Sequence, residues 1–156
     1  MSAAKRILPI VDNKETIFDK NKSTNLKISS ASIFFNNVSF SYDKTANKTL
    51  DNINLEITGK KMTALVGLSG AGKTTILNLI PRLYDINSGD IIIDDQSIYN
   101  VSIKSLRNEI SIVSQDTTLF DDTIKNNIMY ANEDASYQEL LNASELSHSY
   151  DFIKNL

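Results

Sequence analysis

The stretch Met62-Thr63-Ala64-Leu65-Val66-Gly67-Leu68-Ser69-Gly70-Ala71-Gly72-Lys73-Thr74-Thr75-Ile76 decides the fold. It opens with a short apolar run, 62–66, of the kind that forms a buried strand. Glycines follow at 67, 70 and 72, and then Ile76, Leu77, Leu79, Ile80 and Leu83 recur at helical spacing, which predicts a helix over 73–83. A strand, a glycine-rich loop and a helix in that order make an anion cradle. Backbone N–H groups must converge on the anion, and glycine permits the conformations and close approach that this requires. The helix start adds free N–H groups and the positive end of its dipole. In the pattern G-x-x-x-x-G-K-[ST], Lys73 is placed to pair with β and γ phosphates, and the Thr74 hydroxyl to ligate Mg²⁺. The expected ligand of the loop from Gly67 to Thr74 is Mg-ATP.

On the N-terminal side, Ile33 to Tyr42 is dense in aromatic and β-branched residues, with Val38, Phe40 and Tyr42 alternating, which predicts a strand. A polar turn over 43–48 leads to a second alternating strand, Leu50 to Ile57, closed by Thr58-Gly59. On the other side, Ile91 to Ile93 and Ile110 to Ser114 are two further short strands. Beyond Asp122 the pattern is helical: 123–130, 136–146 and a last piece ending at Leu156. Residues 1–30 are polar and weakly periodic. Ala3, Ala4, Ile7, Leu8 and Val11 give one apolar stripe, and 12–27 has the composition of a linker.

Composition sets the outer bounds. With 156 residues, 41% hydrophobic and 22% charged, the chain has the make-up of one modest globular domain rather than a disordered segment. A net charge of -3 with lysines scattered among acids gives no footprint for nucleic acid or for an anionic membrane. The lack of cysteine excludes disulfides and thiolate chemistry. No apolar run reaches the roughly 20 residues that span a bilayer, and Pro9 interrupts the short patch after Lys5 and Arg6, so a secretory signal is not expected. The expectation is a soluble, cytoplasmic chain.

Four stretches in fixed order carry a resemblance to a known family. They are Asn37-Val38-Ser39-Phe40-Ser41-Tyr42, then Gly67 to Thr75, then Leu83-Tyr84-Asp85 through Ser88-Gly89-Asp90 to Asp94, and then Ser105-Leu106-Arg107 followed by Ile112-Val113-Ser114-Gln115-Asp116 and Leu119-Phe120. Over about 32–156 the chain resembles the nucleotide-binding domain of an ABC transporter of the exporter branch. The resemblance implies an α/β fold of the P-loop NTPase class: an N-terminal β-subdomain, a Walker A core and the start of a helical subdomain, incomplete before the signature motif. It places a linker from a transmembrane domain at 1–30, the β-subdomain and P-loop core with its Q-loop at 31–122, and part of the helical subdomain at 123–156.

The same resemblance implies roles. Tyr42 stacks on adenine, where an aromatic face needs no hydrogen-bond code. Gly67, Ser69, Gly70, Ala71, Gly72, Lys73, Thr74 and Thr75 bind the phosphates. Gln115 joins Thr74 at Mg²⁺ and takes the catalytic position near the γ-phosphate, its amide able both to accept and to donate. Residues from Gln115 to Thr123 meet the transmembrane domain, and two ATP-binding domains pair in the full transporter at the inner face of the cell membrane.

Two features resemble machinery without being it. Ile91-Ile92-Ile93-Asp94-Asp95 has the look of a Walker B strand, but the family has an ordinary turn there, usually with glycine where this chain has Asp95. The lone histidine, His148, lacks the context of a switch histidine and is assigned no role. The signature loop, a true Walker B pair and the switch histidine are not found in this sequence, whose last glycine is Gly89. Transition-state stabilisation needs more placed charges than a phosphate cradle supplies. ATP binding with little or no hydrolysis is therefore expected of this chain alone. Two alternatives stand beside it: a self-contained P-loop kinase or NTPase using Asp94 and Asp95, and a non-catalytic interaction remnant.

Overall fold

The computed structural model describes residues 7–8, 17–19, 22–43, 48–114 and 117–156. The chain divides into two compact units, Met1–Ser111 and Ile112–Leu156.

In the first unit, strands β1 (Ile33–Phe40), β2 (Leu50–Ile57), β3 (Ser88–Ile93) and β4 (Gln96–Ser97) form an antiparallel sheet in the order β2-β1-β3-β4. β1 lies at its centre, with Phe35 opposite Leu55 on one side and Ile91 on the other. Period-2 alternation alone would send Phe35 and Val38 to opposite faces. Both are buried, as is Phe40, because the register shifts between Phe35 and Val38. Such a bulge resets the phase of the strand. Asn37 takes positive φ there, and Gly89 faces it across β3 at φ 93. A Cβ at 89 would lie 2.4 Å from the Asn37 carbonyl oxygen, so only glycine fits.

Helices α1 (Lys73–Leu79) and α2 (Ile103–Asn108) send Leu79 and Leu106 into the core with Val38, Ile91, Ile98 and Val101, all essentially inaccessible. α1 stops short of the predicted Leu83. Leu83 N–H donates to the Asn78 carbonyl and Arg82 N–H to that of Leu79, a helix-ending pair with Arg82 in the left-handed region at φ 54. Arginine is strained there. Its side chain is held nonetheless, with Nε 2.6 Å from Asp85 Oδ1 and the guanidinium 5.0 Å from the Tyr99 ring centroid. Burial pushes the Tyr99 phenol up to about 12, against the opposing pull of the Arg82 charge.

The described part of the linker-like stretch is tied down. Leu26 is buried, Thr24 bridges Val101, and Asp19 accepts from Ile103 N–H at the start of α2. The hairpin between β3 and β4 turns on Asp94 and Asp95, both at positive φ, as a two-residue type I′ turn requires. The Asp94 carboxylate accepts the backbone N–H groups of Ser29, Ser30, Ala31 and Ser32 at 2.7–3.0 Å, and the Ser30 hydroxyl. The Ser30 hydroxyl, then the Ser29 N–H, hold this carboxyl well below the usual range.

The second unit contains α3 (Ile124–Met129), α4 (Tyr137–Leu146) and α5 (Tyr150–Ile153). Their starts follow from capping: Thr123 accepts from Asn126 N–H, and Ser136 and Glu139 form a reciprocal capping box. α4 ends with Ser149 N–H donating to Ser144 and His148 N–H to Glu145, His148 sitting at φ 57. His148 thus serves as a helix terminator.

Two expected strands are not formed. Residues 62–66 have no ladder partner among the described residues, Met62 is 100% exposed and Val66 93% exposed. Residues 110–114 are not in a strand either, and Val113 is 95% exposed. A buried parallel strand needs neighbours on both edges to take its N–H and C=O groups, and β1 to β4 pair only with one another among the described residues. Tyr42 also departs from the alternation, lying beyond the end of β1 and 53% exposed. Ile7 and Leu8 are helical and exposed, while Ala3, Ala4 and Val11 lie outside the described residues.

Candidate phosphate-binding site

The glycine loop lies between the exposed run 62–66 and α1. Gly70 and Gly72 adopt φ of 80 and 84, left-handed values that a side chain resists, whereas Gly67 has ordinary φ. Gly72 is also in close contact: a Cβ there would lie 2.7 Å from Leu50 Cδ2 at the start of β2. Ala71 N–H donates to the Leu68 carbonyl, closing a turn inside the loop. The first intrahelical bond of α1 is donated by Ile76 to Gly72, so the N–H groups of Lys73, Thr74 and Thr75 have no intrahelical acceptor.

Helices α2, α3 and α4 each begin at a Ser or Thr whose hydroxyl takes one of these orphan donors. α1 begins at a glycine, has no side-chain cap and carries no acidic residue in its first turn. Its positive end is left open to an anion. The Lys73 ammonium reaches back over the loop and donates to the carbonyls of Gly67 at 2.8 Å and Leu68 at 2.7 Å. The Lys73 cation and helix-start N–H groups with no acceptor among the described residues therefore border one cleft of about 280 Å³, lined by Thr49 and residues 69–75. That donor set fits a polyphosphate, and the exposed Thr74 beside it offers a hydroxyl to a hard cation.

Tyr42 stands next to this cleft, its phenol oxygen 3.0 Å from Thr75 Oγ1. Its ring meets Phe40 at 4.8 Å and Tyr84 at 5.0 Å between centroids, nearly perpendicular to both. Sequence reasoning named Tyr42 and the loop as site residues but missed Thr49 and Tyr84. Thr49 is placed by its N–H bond to the Phe40 carbonyl, a ladder contact that no motif announces. Tyr84 is placed by the turn after α1.

Gln115 lies outside the described residues, as does Asp116. Of the stretch ending at Thr123, Leu119 and Phe120 are exposed, and Asn127 clamps the backbone of Phe120 from both its N–H and its carbonyl. A larger cavity of about 730 Å³ in the second unit, lined by Phe120, Asp122, Lys125 and Tyr130 among others, contains no anion cradle.

Asp94 does not stand as a metal ligand. Both its carboxylate oxygens are committed to residues 29–32, and no group of three or more metal-ligating His, Asp or Glu occurs among the described residues. No helix of the described residues is long and apolar enough to cross a membrane.

The ABC transporter family model matches residues 50–155. An ATP-dependent lipid A-core flippase of Syntrophus aciditrophicus (strain SB) is 44% identical over 156 residues, covering 100% of this chain and 26% of that protein. A heavy metal tolerance protein of Schizosaccharomyces pombe is 43% identical over 148 residues, or 95% of this chain and 18% of the relative. A bacterial Atm1-family ABC exporter, solved with ATP bound, superposes with a TM-score of 0.89 at 37% identity over 97% of this chain and 26% of its own. The chain thus spans about a quarter of the length of the flippase and of that exporter.

Proposed function

The chain belongs to the ABC transporter family, and on that premise we propose that its glycine loop holds the phosphates of Mg-ATP as part of an exporter's ATPase domain. Its fold is the ABC-type P-loop ATPase fold, as the sequence led one to expect. The observation that carries the reading is the Lys73 ammonium folded over a loop whose helix start has no side-chain cap. In the proposed complex, Lys73 exchanges its two carbonyl contacts for the β and γ phosphates. Backbone N–H groups at Ser69, Gly70, Gly72 and Thr75 take the remaining phosphate oxygens, with Gly67 opening the loop and Ala71 holding its turn through the Leu68 carbonyl.

Thr74 would contribute its hydroxyl to Mg²⁺, and Gln115 is assigned to the same ion by its place in the family's sequence pattern alone. The ion, when bound, neutralises charge between the β and γ phosphates. The base is assigned to Tyr42, which stands beside this cleft through its contact with Thr75. Residues from Gln115 to Thr123 form the surface offered to a transmembrane domain, and the domain pairs with a second copy in the full transporter, at the cytoplasmic face of the membrane.

ATP-coupled export is the proposed activity of the whole protein. This chain alone is proposed to bind ATP with little or no cleavage, since a signature loop, a Walker B pair and a switch histidine are not found in it. Titration of the chain with fluorescently labelled ATP tests this. Lys73→Ala is expected to weaken binding by about tenfold or more, since charge-assisted contacts contribute about 1.5–3 kcal/mol. A well-folded chain that binds no ATP would overturn the assignment, and rapid phosphate release abolished by Lys73→Ala would overturn the expectation of no cleavage.

A further inference from the structure

We propose that Tyr84 and Thr75 are positioning residues for base recognition: together they hold the Tyr42 ring as a fixed platform and tie it to the phosphate loop. The inference rests on the reading of Tyr42 as the base-stacking residue.

Tyr42 has left the sheet, so no ladder fixes it, and half of its surface is open. A lone tyrosine in that position would sample several rotamers and lose that freedom on binding. Here it is gripped at three points. The phenol oxygen is 3.0 Å from Thr75 Oγ1, and Thr75 is 5% exposed and belongs to the first turn of α1. Phe40, buried at 3%, meets the ring at 83°, and Tyr84 meets it at 89°. Phe40 and Tyr84 are themselves 5.8 Å apart, so three rings close a cluster in which each touches the other two. Near-perpendicular ring pairs are favourable contacts beyond the area they bury.

Tyr84 is itself anchored. It lies two residues after the left-handed Arg82 and just before Asp85, which the buried Arg82 guanidinium grips. The turn that ends α1 therefore delivers Tyr84 to the platform, while the start of the same helix delivers Thr75. One short helix aligns both halves of the nucleotide site. The consequence is separable: disturbing Tyr84 should affect recognition of the base and leave recognition of the phosphates alone.

The test compares binding of ATP and of inorganic tripolyphosphate, each with Mg²⁺, to the full chain. Tyr84→Leu is expected to weaken ATP about three- to tenfold, the range that one aromatic pair supports. Tripolyphosphate binding stays within about twofold, and Tyr84→Phe restores ATP binding. Tyr42→Phe keeps the ring and removes only the hydroxyl that Thr75 holds. It is expected to lower the preference for ATP over tripolyphosphate by about threefold or more, with its urea midpoint measured beside that of the parent. The inference is overturned if Tyr84→Leu leaves that preference unchanged, weakens both ligands equally, or is not rescued by phenylalanine. If the parent binds tripolyphosphate as tightly as ATP, the platform fails and the phosphate loop stands. If it binds neither, the ATP reading itself fails and takes the platform with it.

Discussion

Two short apolar runs meet opposite fates. Ile91 to Ile93 is paired on both sides, by β1 and β4, and Ile91 and Ile93 are almost wholly buried. Met62 to Val66 has the same strand-like composition, has no partner among the described residues, and is open to solvent at both ends. Apolar composition creates a demand for burial, but the backbone must also place its N–H and C=O groups in ladders. A strand exists where both conditions are met. The comparison also locates the chemistry: the paired run builds the scaffold, and the unpaired run leads into the loop where backbone N–H groups stay unspent.

The largest expected effect separates the runs directly. Ile91→Ala removes a side chain at 0% exposure from the centre of the core. It should cost about 2–5 kcal/mol of unfolding free energy. Met62→Ala, at 100% exposure, should stay within about 0.5 kcal/mol. Urea denaturation of both variants measures the difference, and equal costs would break the comparison. A smaller effect is expected at Gly89, where β3 enters the sheet. Alanine there must hold φ near 93 with its Cβ against the Asn37 carbonyl oxygen. It should lose about 1–3 kcal/mol, and a neutral Gly89→Ala would mean that the bulge opposite is free to move.

How much of this was legible in the sequence follows from the same two conditions. The eight-residue β2 and the start of α4 at Ser136 were readable to the residue, because alternation and capping chemistry are local. The glycine loop was readable because φ above zero and close approach select glycine. The fate of 62–66 was not, since ladder partners are non-local. Neither was the phase reset in β1, which depends on Asn37 opposing Gly89 across strands. Within the candidate site, Tyr42 and Lys73 lie in motifs that carry a site role, whereas Tyr84, in a matching stretch with no role attached, and Thr49 reach it through the turn after α1 and the ladder before β2.

Asp94 offers the finest test, since it ties the paired run to the preceding chain and 62–66 has no comparable tie. Its carboxyl is held well below the ordinary aspartate value by the Ser30 hydroxyl first, then by the N–H groups of Ser29, Ala31 and Ser32. A depressed folded value means that the unfolded chain binds the proton first. The carboxylate's contribution is therefore complete above the unfolded pKa of about 3.9 and is lost as pH falls towards the folded value. Asp94→Asn should lower the urea midpoint at pH 7 by less than Ile91→Ala does, and the gap between parent and variant should hold down to about pH 5 and close below pH 4. Asp51, depressed chiefly by its hydrogen bond to Lys48, and Glu139, depressed chiefly by Ser136, also weaken in acid. Both are common to the two proteins and cancel in the difference. A gap that stays constant from pH 7 to pH 3 would show that the Asp94 clasp depends on shape and not on charge, and would leave ladder pairing alone to explain why one apolar run is held and the other is not.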